Sequence, residues 1–271
     1  MPELPEVETT LRGIEPHILN LPINNFWVRE KKLRWPIPVR EIKQGLTGNF
    51  FSSIKRRAKY LILKSKRGSL LIHLGMSGSL RIFPYFVEPE KHDHVDVEFK
   101  NGTYLRFTDP RKFGSILWTQ DPDKHPLIKN LGPEPLGNSF SGDYLFQLSR
   151  KRKTPVKNFI MNANIIAGVG NIYASEALFL SGIRPQKRTR NISRRQFELL
   201  ASSIKEILQS SIDQGGTTLR DFVGSNNQPG YFKNQLKVYG RAGQGCKSCS
   251  TELKQIRLSQ RSSVYCPQCQ S

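Results

Sequence analysis

The chain has 271 residues, 42 Lys and Arg against 22 Asp and Glu, and a formal net charge of +20. With 37% hydrophobic residues it is too apolar for a disordered basic tail, and no apolar run is long enough for a membrane-spanning helix. The charge excess points to a polyanionic partner without choosing among DNA, RNA, an anionic membrane and the ribosome.

The N-terminal stretch Met1-Pro2-Glu3-Leu4-Pro5-Glu6-Val7-Glu8 has neither a basic n-region nor an apolar h-region, so a cytoplasmic protein is expected. Residues 5–18 read as an amphipathic helix, with Val7, Leu11, Ile14 and Ile18 at helical spacing and Pro5 in the first turn. This segment reverses the charge of the chain: the first twenty residues carry Glu3, Glu6, Glu8 and Glu15 against Arg12. Residues 24–118 read as β-structure. Phe50–Ile54, Tyr60–Leu63 and Leu70–Leu74 are short apolar runs, and His94–Phe99 alternates, turns at Lys100-Asn101-Gly102 and returns as Thr103–Phe107. Strands at this spacing predict a sandwich or barrel.

After about residue 125 the pattern changes. Leu131-Gly132-Pro133-Glu134-Pro135-Leu136-Gly137 is a hinge candidate. Val156–Ala167 and Ile172–Ser181 read as two helices joined by Gly168-Val169-Gly170-Asn171. A third helix starts at a Ser193 cap with Gln196 three residues on, and Gly215-Gly216 ends it. Residues 217–236 read as a loop.

All four cysteines lie near the C-terminus: Cys246, Cys249, Cys266 and Cys269. Two Cys-x2-Cys knuckles separated by sixteen residues can place four thiolates around one tetrahedral ion, with a β-hairpin between them. Four ligands leave no open position, so one structural Zn2+ is expected; two disulfides or an iron site fit a cytoplasmic chain less well. Basic clusters fall at 55–59, 150–157 and 184–195. One such run is ordinarily a solvated face. Three of them beside a cysteine finger favour phosphate contact, and the glycine turn before Asn171 offers backbone N–H groups at a helix start.

Pro2 has a possible chemistry. Once Met1 is removed the chain begins with a secondary amine, and an α-amino group has a pKa of about 7.7–8 against about 10.4 for Lys. The positive end of the following helix should lower it further. Condensed with an aldehyde, a secondary amine gives a cationic iminium suited to β-elimination, with Glu3 and Glu6 beside it as acid/base candidates. From these residues alone, the reading of Pro2 as incidental and the glutamates as a helix cap is the stronger one.

The opening Met1-Pro2-Glu3-Leu4-Pro5-Glu6-Val7-Glu8-Thr9 resembles that of the bacterial formamidopyrimidine-DNA glycosylase family. So do Arg57-Ala58-Lys59-Tyr60-Leu61, His73-Leu74-Gly75-Met76-Ser77-Gly78, Lys91-His92-Asp93-His94 and Thr108-Asp109-Pro110-Arg111-Lys112-Phe113-Gly114. Further blocks are Ala167–Ala174, Gly216–Phe222, Val238–Arg241 and Gln260–Pro267, all in the family order and spread over the whole chain. The resemblance implies an α+β fold: an N-terminal antiparallel β-sandwich with flanking helices (1–130), a helical domain with a helix–two-turns–helix motif (131–236), and a β-hairpin zinc finger (237–271). It implies a monomeric, cytoplasmic, nucleoid-associated glycosylase and lyase that excises oxidised purines from double-stranded DNA, with no membrane partner. Pro2 would be the nucleophile and Glu3 the acid. Lys59 would assist β-elimination and Arg261 δ-elimination. DNA contacts would come from His73, His92, Arg111, Arg152, Lys153, Asn171 and Tyr239. Met76, Arg111 and Phe113 would fill the gap left by a flipped nucleotide, although Met76 and Phe113 taken alone read as core. The 217–236 loop would close over the base. The sister family, endonuclease VIII, shares the Pro-Glu start and the finger but lacks the Leu-Pro-Glu-Val-Glu continuation and the Arg-Lys-Phe wedge. A non-enzymatic zinc-finger nucleic-acid binder is the other alternative.

Overall fold

The computed structural model describes residues 2–216 and 232–271. The chain divides into two compact units, residues 1–129 with 214–233 and residues 130–213 with 234–271.

In the first unit the predicted N-terminal helix is α1, Leu4–Ile18. Ile23–Val28 (β1) is followed by a short helix, Val39–Leu46 (α2). The strands that follow are Ser53–Arg57 (β2), Tyr60–Ser65 (β3), Gly68–His73 (β4), Ser79–Phe83 (β5), Asp93–Phe99 (β6), Tyr104–Thr108 (β7) and Ser115–Thr119 (β8). Among the described residues they form two antiparallel four-stranded sheets, ordered β1-β6-β7-β5 and β2-β3-β4-β8. The alternation in β6 explains the packing: Val95, Val97 and Phe99 point into the core and Asp96 and Glu98 lie on the other face. Leu61 and Leu63, Leu70 and Ile72, and Ile116 supply the facing layer. The apolar stripe of α1, from Val7 to Ile18, closes this core with Ile42 and Leu46 of α2. The sandwich expectation holds; α2 interrupts the region read wholly as strands.

The second unit contains Gly142–Ser149 (α3), Val156–Ile160 (α4), Asn171–Leu180 (α5) and Arg194–Asp213 (α6), then the hairpin Lys254–Leu258 (β9) and Arg261–Tyr265 (β10). The helix expected over 156–167 stops after five residues. The reason is local: the Asn162 side chain accepts from the Asn164 N–H at 3.0 Å, a turn that competes with continued helix. Two turns thus precede α5, and Gly168 takes a φ of +82° in the second of them. The Leu-Gly-Pro segment packs on those turns. Gly132 donates to Ala163 O, and a Cβ at Gly132 would lie 2.5 Å from Ile165 backbone, so only glycine fits. Among the described residues no helix is long and apolar enough to cross a membrane.

Candidate active site and metal centre

Pro2 and Glu3 are buried at the N-terminal end of α1. Glu3 is the cap residue of the helix and forms a reciprocal capping box with Glu6: the Glu3 side chain accepts from the Glu6 N–H, and the Glu6 carboxylate accepts from the Glu3 N–H at 2.8 Å. The expectation that the glutamates cap α1 is met by Glu3 and Glu6 together. Gly216, with a φ of +82°, sits against Glu6; a Cβ there would lie 3.3 Å from Oε1. Phe232 N–H donates to Gly216 O, so the two edges of segment 217–231 meet beside Glu6. The loop reading of 217–236 falls mainly on 217–231, outside the described residues. The remainder includes a short 3-10 turn, Phe232–Gln235.

Lys59 stands in the two-residue turn between β2 and β3, where Arg57 pairs with Tyr60. Its neighbour Ala58 has a φ of +54°, a left-handed conformation that such hairpins ordinarily give to Asn or Gly. Arg56 steadies this turn. Its guanidinium donates to Ala58 O at 3.0 Å and to Glu8 of α1 at 2.9 Å, which ties the hairpin to the N-terminal helix. Arg261 repeats the arrangement in the second unit. It begins β10 after the turn Ser259-Gln260, whose φ values are +44° and +65°, and it is exposed. Lys157 is buried beneath that strand and donates to Ser262 O at 3.0 Å and Ser263 Oγ at 2.8 Å.

His73 ends β4 and stacks at 4.8 Å from the Tyr60 ring. Burial, followed by the positive charges of Lys59 and Arg34, lowers its pKa to about 4. Its Nδ1 accepts from the Gly75 N–H at 2.9 Å, so the proton resides on Nε2. At neutral pH His73 is thus a neutral hydrogen-bond donor rather than a cation. A depressed folded-state pKa means that the unfolded chain takes up the proton first, near pH 6.5. The stabilising contribution is complete above pH 6.5 and is lost as pH falls toward 4. His73→Gln is expected to flatten the pH dependence of unfolding between pH 6.5 and 4 by about 2 kcal/mol, read from urea midpoints. An unchanged profile would remove this assignment.

The remaining expected DNA contacts of the first unit sit on adjoining loops. Met76 is half-buried, Arg111 exposed, and Phe113 is 45% exposed, which argues against a core role for the ring. The Arg111 guanidinium lies 5.1 Å over the Phe113 ring. Lys112 between them has a φ of +55° and pairs with Glu30. His92 is half-buried, 6.5 Å from the His94 ring.

In the second unit the basic run 150–157 divides. Lys157 is buried against β10, while Arg150, Lys151, Arg152 and Lys153 are exposed, and of these Arg150 is held by Ile192 O and Phe146. Asn171 opens α5 behind the Gly170 cap. Tyr239 is half-buried. Its N–H, with those of Lys237 and Val238, donates to the buried carboxylate of Glu176 at 2.7–3.0 Å. Lys157 and Glu176 escape sequence reasoning because nothing in the chain distinguishes a buried charge from a solvated one.

The four cysteine sulfurs all lie within 4.8 Å of one another. The pairs Cys249–Cys269, Cys249–Cys266 and Cys246–Cys269 stand at 3.4, 3.5 and 4.0 Å. Disulfide sulfurs would be about 2.05 Å apart, whereas thiolates at about 2.3 Å from a tetrahedral ion lie about 3.8 Å apart. The donor set and its spacing fit one structural Zn2+.

Three family models match the chain: the formamidopyrimidine-DNA glycosylase N-terminal domain over residues 1–116, its H2TH domain over 131–223, and the zinc finger found in FPG and IleRS over 243–271. A formamidopyrimidine-DNA glycosylase of Ectopseudomonas mendocina is 54% identical over 270 residues, with both chains fully covered. The Lactococcus lactis Fpg, solved in complex with DNA containing an abasic site, superposes with a TM-score of 0.91 at 33% identity over the full length of both. The same enzyme solved with DNA containing N7-benzyl-Fapy-dG gives 0.91 at 35%, again over both full lengths. Matched in all three parts and along its whole length, the chain belongs to the formamidopyrimidine-DNA glycosylase family.

Proposed function

We propose that this chain is a bifunctional DNA glycosylase and lyase that excises oxidised purines, 8-oxoguanine and formamidopyrimidines, from duplex DNA in base excision repair. The observation that carries the reading is the buried Pro2–Glu3 start of α1, with Glu3 and Glu6 joined in a capping box, in a chain that resembles this family along its whole length.

The secondary amine of Pro2, freed by removal of Met1, attacks C1′ of the damaged nucleotide. The glycosidic bond breaks, the base departs, and Glu3 protonates the sugar oxygen as the ring opens. The resulting iminium withdraws electrons from C2′. Loss of a C2′ proton expels the 3′ phosphate, and a second elimination expels the 5′ phosphate. Lys59 serves the first elimination and Arg261 the second, each beside a phosphate. The two-residue hairpins that carry them hold both side chains on short, rigid supports.

The nucleotide leaves the stack before C1′ is reached. Met76, Arg111 and Phe113 fill its place and meet the orphan base, and the stacked Arg111–Phe113 pair supports that role. His73 and His92, with Arg152, Lys153, Asn171 and Tyr239, hold phosphates; His73 does so as a neutral donor. The four thiolates hold Zn2+, which keeps the hairpin of Arg261 folded. In functional terms 1–130 is the catalytic domain, 131–236 the helix–two-turns–helix domain with the base-closing loop, and 237–271 the finger. The protein acts as a monomer in the cytoplasm, at the nucleoid and away from membranes.

Borohydride reduction during incubation with an 8-oxoguanine duplex is expected to trap the protein on DNA through Pro2, identified by mass spectrometry of the N-terminal peptide. Trapping through a lysine, or none by zinc-loaded protein with a processed N-terminus, overturns the reading. Faster trapping on thymine glycol than on 8-oxoguanine would transfer it to the pyrimidine-specific sister.

A further inference from the structure

We propose that Asp109 is a positioning residue that locks the loops of Met76, His92 and Arg111–Phe113 into one rigid wedge; this rests on the wedge role proposed for Met76, Arg111 and Phe113. Asp109 is fully buried. One carboxylate oxygen accepts from Ser77 Oγ at 2.7 Å and from the Arg111 N–H at 3.3 Å, and the other accepts from the Gly114 N–H at 2.7 Å. Ser77 follows Met76, while Arg111 and Gly114 bracket the Arg-Lys-Phe tip. The Ser77 hydroxyl oxygen accepts in turn from the Arg111 N–H at 3.2 Å. The backbone of Asp109 reaches a third loop: its N–H donates to His92 O at 3.0 Å, and its carbonyl lies 2.8 Å from His94 Nε2.

The loops are also in steric contact. A Cβ at Gly75 would lie 2.4 Å from Phe113 and Gly114 backbone, so Gly75 permits the close approach. The Ser77 hydroxyl and the Arg111 and Gly114 N–H groups that hold the Asp109 carboxylate are all neutral donors. A buried carboxylate held by the groups it joins has a strong preference for one arrangement of them. Three loops that would otherwise move separately therefore share one anchor. A wedge that enters the duplex as a unit avoids the entropy loss of ordering each loop on the DNA.

The test uses the full-length, zinc-loaded protein with a processed N-terminus. Asp109→Asn keeps the shape but sets an amide donor against a backbone N–H. Ser77→Ala removes one arm and leaves the carboxylate, so it serves if the first variant folds poorly. Each is expected to slow single-turnover release of 8-oxoguanine from duplex DNA by about tenfold or more. Borohydride trapping on a single-stranded abasic oligonucleotide, which needs no wedge, is expected to stay within about twofold. Combined with Phe113→Ala, either variant is expected to add less than about twofold beyond Phe113→Ala alone, because both damage the same step. Equal losses on the two substrates, or full additivity, overturn the proposal and leave Asp109 a plain stabiliser. A slow Phe113→Ala beside fast Asp109→Asn and Ser77→Ala proteins overturns the anchor but not the wedge. An unimpaired Phe113→Ala overturns both.

Discussion

A chain that retains Met1 is expected to bind an 8-oxoguanine duplex and yet lose base release and strand cleavage by on the order of 10^4-fold or more. In that chain the Pro2 nitrogen belongs to a tertiary amide. Its lone pair is delocalised into the carbonyl, and no Schiff base can form on it. Pro2 and Glu3 are buried together at the start of α1, so the blocked nitrogen occupies the place where the reactive amine is proposed to stand. The measurement is single-turnover kinetics beside borohydride trapping, with duplex affinity and zinc content as controls for an intact fold. Replacement of Pro2 by Gly, with Met1 removed, is the informative comparison. It restores a free amine, primary instead of secondary, and is expected to recover trapping. A Met1-retaining chain as active as the processed one would exclude the N-terminal amine as the nucleophile.

Several features were open to inspection in the chain. Periodicity finds α1 and the alternation of β6 because one face of each is apolar and meets a single core. The cysteine spacing finds the metal centre because four donors of one chemistry admit few arrangements. The acidic N-terminus is visible because Glu3 and Glu6 stand out against a +20 chain. What stays hidden is mostly the burial of charge. Lys157 lies in a run that reads as a phosphate patch, yet its ammonium is consumed by two oxygens of β10. Asp109 and Glu176 look like ordinary surface acids, and only tertiary contact shows that they gather two and three backbone N–H groups respectively. The turns of Lys59 and Arg261 are hidden for another reason. Ala58, Ser259 and Gln260 take positive φ without glycine or asparagine, so tertiary packing overrides local propensity there. The overlong helix expected at 156–167 fails similarly: apolar spacing continues, but the Asn162 side chain makes a turn with the Asn164 N–H. The candidate functional residues were therefore proposed mainly through family motifs, and the contacts that support them are visible only in the fold.

Removal of zinc is expected to abolish specific DNA binding while the β-sandwich stays folded. The apolar cluster around the finger consists of Val238, Cys246, Leu253, Val264 and Cys266, with Phe179 and Cys269 against it. Three of these are metal ligands, so the cluster has little hydrophobic driving force without the ion. Zinc binding to small cysteine modules contributes on the order of 10 kcal/mol, more than the net stability of most domains. The sandwich core contains no cysteine and includes residues from α1 and both sheets, so it does not depend on the metal. Cys266→Ser is the sharpest variant, because Cys266 is fully buried and its N–H donates to Gln270 within the second knuckle. It is expected to weaken duplex binding by about 100-fold or more, since Arg261 loses its hairpin. Thermal unfolding followed by near-ultraviolet circular dichroism is expected to retain the sandwich transition. Collapse of both transitions together would show that the finger also supports the first unit. Unchanged affinity in zinc-free protein would show that Lys157 and α5 hold β10 without the ion, and would remove the finger from the DNA-binding surface.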